Sequence, residues 1–230
     1  PGTTVGQQAL NVFQFAADRW GANLISDQPI VVIAFFLPLP CNATSGVLGS
    51  AGAFFYFANV PAVKSAKGLV PNTWYPAALA EKLTKQDIVV DPTAPFEIVS
   101  FFNSDLGKPG CLTGNGWYYG LDNQQPGNRI DLLAVVLHEF GHGLGFSVGP
   151  TNTNTGARPA NFPSVWERYM LDVTSGKRWI DMTQAERAAS ARNDLNVVPS
   201  VLDFGAQVVA LDPDILGTNE GVAANLWGKV

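Results

Sequence analysis

The sequence predicts an α+β fold in which a mixed, twisted sheet packs against a long helix. Three patterns support this prediction: helical spacing of apolar residues near the start, a continuous apolar run typical of a buried strand, and a capped apolar helix in the middle of the chain. The 230 residues are 47% hydrophobic and 14% charged, enough for one substantial core. We therefore expect a single domain over residues 1–230.

The first predicted helix covers Val5–Trp20. Leu10, Phe13 and Ala17 recur there at helical spacing, and Gly21 supplies a stop.

Three segments read as strands. Ile30–Leu37 is an apolar run between prolines and predicts a strand buried on both faces, while Phe96–Phe102 and Trp117–Leu121 predict a second and a third. A short helix is expected over Pro76–Leu83. The stretch Pro40–Pro71 is rich in small residues and its element type is ambiguous; we expect a loop plus a short strand.

The long helix is predicted to begin at Asn128, with Asp131 in a capping-box position. It continues through His138, and Gly143 and Gly145 can end it. Beyond it the pattern becomes helical and irregular. Short helices are expected over Ser164–Leu171 and Thr183–Ala191, each opened by a capping box, and residues from Val197 onward show no strong pattern.

Charge and hydropathy exclude some classes of partner. The net charge is -5 and no basic run occurs, so nucleic acid is not an expected partner. No apolar stretch approaches the roughly 20 residues that span a bilayer.

The two cysteines, Cys41 and Cys111, lie in turn-rich sequence. A disulfide is favoured over free thiols and implies an oxidising compartment, which predicts a secreted or extracellular protein. Zinc ligation is the weaker alternative, since neither cysteine belongs to a C-x-x-C pair.

The chemical signal is His138-Glu139-Phe140-Gly141-His142, an H-E-x-x-H motif. In a helix, residues four apart share a face, so both imidazoles can bind one zinc ion with Glu139 beside them. Chance spacing of two ordinary histidines is the competing interpretation.

A catalytic zinc takes three protein ligands, and the chain has no other histidine. The third ligand should therefore be a carboxylate. Glu167 is the first choice because a short helix would hold it, although it can equally serve as the capping partner of Ser164. Asp172 is the second choice. Other downstream acids remain open: Asp181, Glu186, Asp194 and later ones.

These parts predict hydrolysis of a peptide bond by a zinc-bound water, with Glu139 as the general base that later protonates the leaving amine. Arg168 or Tyr169 could stabilise the oxyanion.

The stretch LHEFGHGLGF resembles the metzincin clan of zincin peptidases, in which a glycine and a third histidine follow the motif. Gly145 matches that glycine, but Val148 stands at the histidine position and cannot bind zinc. The resemblance implies a zincin-like fold, with an upper lobe over about 1–145 and a lower lobe over about 146–230. It also implies a methionine turn beneath the metal, for which Met182 is the candidate and core packing the alternative.

The same resemblance makes Trp117–Leu121 the edge strand along which an extended peptide binds, with Trp117, Tyr118 and Tyr119 as substrate-binding residues. A closer resemblance is to secreted bacterial metallopeptidases that share HEFGHGLGF and two later segments, here Pro163–Tyr169 and Gly176–Ala191. Such proteins often carry a protease-associated domain.

The expected function is a secreted zinc endopeptidase acting on protein or peptide substrates. The alternatives are an exopeptidase or amidase with the same zinc site, or a binding protein that keeps a zincin fold without catalysis. Cleavage specificity and oligomeric state are not determined by these patterns.

Overall fold

A computed structural model describes residues 2–66, 69–193 and the strand at 210–211. Helices and small sheets are mixed along the chain, which is compatible with the α+β class. The helices are α1 (Val5–Asn23), α2 (Pro61–Ser65), α3 (Ala77–Thr84), α4 (Leu132–Leu144) and α5 (Gln184–Ser190). The strands are β1 (Val32–Leu37), β2 (Gly49–Ala53), β3 (Tyr56–Phe57), β4 (Tyr75–Pro76), β5 (Ile98–Asn103), β6 (Trp117–Tyr118), β7 (Ile130–Asp131), β8 (Met170–Asp172), β9 (Lys177–Arg178) and β10 (Ala210–Leu211).

The main sheet has three strands in the order β1-β5-β2. β1 runs parallel to β5, and β2 runs antiparallel to it. The first two predicted strands, Ile30–Leu37 and Phe96–Phe102, are therefore confirmed as β1 and β5. The expectation that β1 is buried on both faces was wrong, because β1 lies at an edge of the sheet and leaves Phe35 41% and Leu37 42% exposed.

The predicted third strand does not belong to this sheet. β6 covers only Trp117–Tyr118 and pairs in parallel with β7, forming a separate two-stranded sheet. The edge opposite β1 is β2, a strand that the sequence left as ambiguous.

α1 begins after Thr4, whose hydroxyl accepts the Gln7 N–H at 3.2 Å. Its buried residues are Ala9, Val12 and Ala16, while Leu10, one of the apolar residues at helical spacing, is 58% exposed. The helix packs against α4, and Trp20 Nε1 donates to the carbonyl of Leu137 at 3.1 Å.

α4 begins at Leu132 rather than near Asn128, because the two residues before it pair with β6. Asp131 caps the helix by accepting the Leu133 N–H at 2.8 Å. The helix ends at Gly145, whose φ of 110° favours glycine.

Beyond α4, the described residues form 3-10 turns, the sheet β10-β8-β9 and α5. The predicted helix over Ser164–Leu171 is instead a 3-10 turn at Trp166–Tyr169 leading into β8. α5 confirms its prediction, including the capping box of Thr183 with Glu186. One core cluster contains residues that come before the end of α4 in the chain, such as Ile98 and Leu144, and residues that come after it, such as Trp179.

Cys41 and Cys111 form the predicted disulfide, which links two turns separated by 70 residues. Cys111 is buried in the cluster between α1, α4 and the sheet. Among the described residues, no helix combines the length and apolar character needed to cross a membrane.

At Gly143 the helix α4 lies close against β5. A Cβ atom added there would lie 2.3 Å from Ile98 Cγ2 on β5. Only a residue without a side chain lets the helix approach the strand this closely.

Replacing Gly143 by Ala should lower the free energy of unfolding by about 1–3 kcal/mol, because the added methyl must displace Ile98. Gly21→Ala is the matched control, since no atom lies within 4 Å of its added Cβ in α1. That control should be neutral or stabilising by up to about 1 kcal/mol, since alanine favours helix. Urea unfolding measures both, and equal stabilities of the two variants would contradict the contact.

Candidate metal and catalytic site

α4 brings the two motif histidines onto one face. Their Nε2 atoms lie 3.2 Å apart, and the ring centroids are separated by 4.8 Å. The spacing of four residues along a single helix dictates this arrangement. Two nitrogen donors thus converge on one point beside the helix.

His142 is held in a defined orientation by the chain that follows the helix. Its Nδ1 lies 3.1 Å from the carbonyl oxygen of Phe146. A carbonyl can only accept, so this contact requires Nδ1 to carry the proton and leaves the lone pair on Nε2. Burial lowers the pKa of His142, with the Phe146 contact opposing and His138 adding to the shift. The neutral ring is the form that binds metals.

Glu139 points from α4 toward β2. Its side chain is buried, with Cγ 3.0 Å and Oε1 3.2 Å from where a Cβ on Gly49 would stand, and its carboxylate lies near the backbone N–H of Ala51. Burial raises the pKa of Glu139 to about 7, while the Ala51 N–H opposes the rise.

The hydrogen-bond pattern of β2 shows which side of the strand this carboxylate occupies. At one end Asn103 N–H donates to the Leu48 carbonyl at 2.9 Å, and at the other Phe54 N–H donates to the Glu97 carbonyl at 2.8 Å. Backbone groups alternate in an antiparallel pair, so even-numbered residues bond to β5 and Ala51 faces the opposite side. Glu139 therefore lies at the outer edge of β2.

The structure does not bring Glu167 to the histidines. Its carboxylate is fully buried and accepts hydrogen bonds from Arg158 Nε at 3.1 Å, Thr151 Oγ1 at 2.9 Å and Ser164 N–H at 2.6 Å. These donors occupy both oxygens. The capping alternative with Ser164 is thus observed, while none of the hydrogen bonds of Glu167 among the described residues supports a role as zinc ligand.

Asp172, the second choice, is also used locally. Its Oδ1 accepts the N–H groups of Thr174 at 2.8 Å and Ser175 at 3.3 Å. Asp181 pairs with Arg178, and Glu186 with Lys177. Within the described ranges no group of three His, Cys, Asp or Glu residues could hold a metal ion. Asp194 and the later acids lie outside the described residues.

The predicted substrate-binding residues lie elsewhere on the molecule. Trp117, Tyr118 and Tyr119 line an open cavity of about 630 Å³ together with Arg129. Because β6 pairs with the residues just before α4, they stand near the start of that helix, about 10 Å along its axis from His138. Their role in binding substrate stays a prediction.

The remaining predicted residues have structural surroundings. Arg168 Nε donates to Thr73 Oγ1 at 2.9 Å. Met182 is buried in the core cluster that contains Phe146, and Val148 packs against that cluster. Tyr169 also borders it. A role of Met182 beneath the metal, or of Arg168 or Tyr169 at an oxyanion, stays a prediction.

Two parts of the site were missed by sequence reasoning. β2 reads GSAGA, which lacks the β-branched and aromatic residues that mark strands. The Phe146 carbonyl carries no side-chain signal at all. The nearest available clue was the turn expected at Gly145, which brings the following carbonyl back to the helix.

Comparison of the chain with protein-family models, curated proteins and solved structures finds no match. The function is therefore inferred from the chemistry of the site.

Glu167→Gln should lower the free energy of unfolding by about 3 kcal/mol, because Arg158 stays buried after losing its charged partner. It should leave the zinc content of the folded protein unchanged, since the described hydrogen bonds of the Glu167 carboxylate go to Thr151, Arg158 and Ser164. Glu186→Gln, at an exposed ion pair, is the control for a lost carboxylate. Chemical unfolding and elemental analysis measure the two properties. Loss of zinc from folded Glu167→Gln protein would restore Glu167 as a ligand.

Proposed function

We propose that this protein is a zinc-dependent endopeptidase with a zincin-like, metzincin-like fold. The observation that carries the proposal is the 3.2 Å separation of the two Nε2 atoms. Nitrogen ligands bind zinc at about 2.0–2.1 Å, so two of them in tetrahedral geometry stand about 3.4 Å apart. The Phe146 carbonyl on His142 Nδ1 is the kind of outer partner that orients histidine ligands.

His138 and His142 would hold the zinc together with a third ligand, for which Asp194 and the later acids, outside the described residues, stay open. When bound, zinc polarises the scissile carbonyl and makes water a nucleophile near neutral pH. The Glu139 carboxylate would take a proton from the attacking water and pass it to the nitrogen of the leaving amine. No covalent bond to the protein is needed.

The substrate is proposed to bind as an extended chain along the outer edge of β2. That edge has no strand partner among the described residues, and extended peptides add to such edges through main-chain hydrogen bonds. Since the Ala51 N–H on this edge contacts Glu139, a bound peptide lies beside the proposed base. Binding through main-chain hydrogen bonds along β2 does not require a free end of the substrate, which supports cleavage within a polypeptide chain.

The disulfide supports the proposed site of action, which is extracellular. Such bonds persist in oxidising compartments, where the expected substrates are proteins or peptides.

Glu139→Gln should keep zinc and lose about 100-fold or more of the peptidase activity, because the amide cannot take the proton. His138→Ala should lose both zinc and activity. Glu81→Gln is the matched control: this buried carboxylate accepts the N–H groups of Ile88 and Val89, each at 3.0 Å, and an amide oxygen can still accept them.

Zinc content by elemental analysis and cleavage of a casein-like protein are the two measurements. Full activity of Glu139→Gln would refute the proposal. So would a wild-type protein that holds no zinc after dialysis against zinc.

Ala53→Pro tests the edge. The Ala53 N–H points away from β5, as Ala51's does, so proline keeps the ladder to β5 but removes a donor and adds a ring on the outer side. KM for an extended protein substrate should rise several-fold, with zinc content unchanged. Gly52→Ala adds a methyl with no atom within 4 Å and should leave KM unaltered. An unchanged KM for Ala53→Pro would place the substrate elsewhere.

A further inference from the structure

We propose that Asn42 is the attachment site of an asparagine-linked oligosaccharide. Asn42-Ala43-Thr44 matches the acceptor motif Asn-x-Ser/Thr and is the only such match in the 230 residues. The motif lies between β1 and β2, and all three of its residues are exposed. A bulky hydrophilic group can be attached only at such a surface position.

A short antiparallel turn holds the motif at the surface. The Asn42 N–H donates to the Ser45 carbonyl at 2.7 Å. Just outside this pair, Cys41 and Gly46 form an isolated antiparallel bridge. The Asn42 carbonyl also accepts the N–H of Leu112 at 2.9 Å. The backbone of the turn is therefore fixed against the neighbouring turn, while its tip is exposed.

The side-chain amide of Asn42 is oriented by the residues that follow it. Its Oδ1 accepts the Thr44 N–H at 2.9 Å, the Thr44 hydroxyl at 3.1 Å and the Ser45 N–H at 2.9 Å. Among the described residues no hydrogen bond of the Asn42 Nδ2 is observed. The amide oxygen is thus held inside the turn, and the nitrogen that would carry the sugar is left accessible.

The neighbouring disulfide points to a matching compartment. Cys41, the residue before Asn42, is joined to Cys111. Disulfides persist in secreted proteins, the class of protein in which Asn-x-Ser/Thr motifs are glycosylated. The disulfide and the oligosaccharide are therefore expected on the same exported chain.

The donor in the proposed transfer is an oligosaccharide linked through its anomeric carbon to a lipid diphosphate. The bond from that carbon to the diphosphate oxygen breaks, and a bond to the Asn42 Nδ2 forms. The amide nitrogen gives up one proton to a base of the transferase, and the lipid diphosphate leaves with the bonding electron pair. No group is oxidised or reduced.

The test is the mass of the full chain after secretion from a eukaryotic cell that glycosylates asparagine. The protein should be heavier than its sequence by one oligosaccharide, and an amidase that cleaves the sugar–asparagine bond should remove this mass and leave aspartate at position 42. Asn42→Gln and Thr44→Val should each abolish the added mass. Thr44→Ser keeps the hydroxyl and should retain it.

Asn152 is the matched control. It is exposed, and its Oδ1 accepts the N–H groups of Asn154 at 3.0 Å and Thr155 at 3.1 Å, a turn like that of Asn42. Its motif has no hydroxyl at the third position, so residue 152 should stay unmodified. Asn154→Thr supplies that hydroxyl and should add a second oligosaccharide.

Three results would each overturn the proposal. They are a wild-type chain secreted without oligosaccharide from cells that modify Asn154→Thr, an unchanged added mass in Thr44→Val, and an oligosaccharide on Asn152 of the wild-type chain. Neither zinc content nor peptidase activity enters the measurement, so its result is independent of the proposed function.

Discussion

The close packing of α4 on β5 is the constraint on which the candidate site depends. Gly143 lets the helix approach until a Cβ would lie 2.3 Å from Ile98. Glu139 lies one turn earlier on the same helix face. A helix held further out would withdraw its carboxylate from Ala51 and from the edge of β2. The register of one glycine against one isoleucine therefore determines whether the proposed base meets the proposed substrate strand.

A second anchor holds the chain after α4. The buried carboxylate of Glu167 binds Thr151 and Arg158, and Arg158 Nη2 also donates to the Trp179 carbonyl at 2.9 Å. Thr151 lies two residues after Gly149, whose backbone lies close to the Tyr56 hydroxyl. The chain leaving the helix thus packs against Tyr56 at one end and is held by a buried ion pair at the other. An acidic residue that looks like a metal ligand in sequence serves here as a structural centre.

The parts of the site that sequence predicted are those fixed by local geometry. Helical periodicity alone pairs His138 with His142, and an alternation-free apolar run alone marks β1. The failures involve long-range contacts. Nothing in the sequence around Glu167 reveals that its carboxylate forms an ion pair with Arg158. Trp117 has a higher strand propensity than any residue of β2, but it pairs with β7 and not with the main sheet. Leu10 has the correct helical spacing, but the contact with α4 uses the neighbouring face of small residues.

The small residues of β2 follow from the same packing. Gly49 cannot carry a side chain without meeting Glu139 at 3.0 Å, just as Gly143 cannot without meeting Ile98 and Gly149 cannot without meeting Tyr56. Each glycine marks a place where another side chain rests on the backbone. Residues with high strand propensity would therefore prevent Glu139 from lying close to the backbone of β2. The small residues are tolerated there because hydrogen bonds to β5 already hold the strand. The weak strand signal of GSAGA is a consequence of its position beside the proposed base.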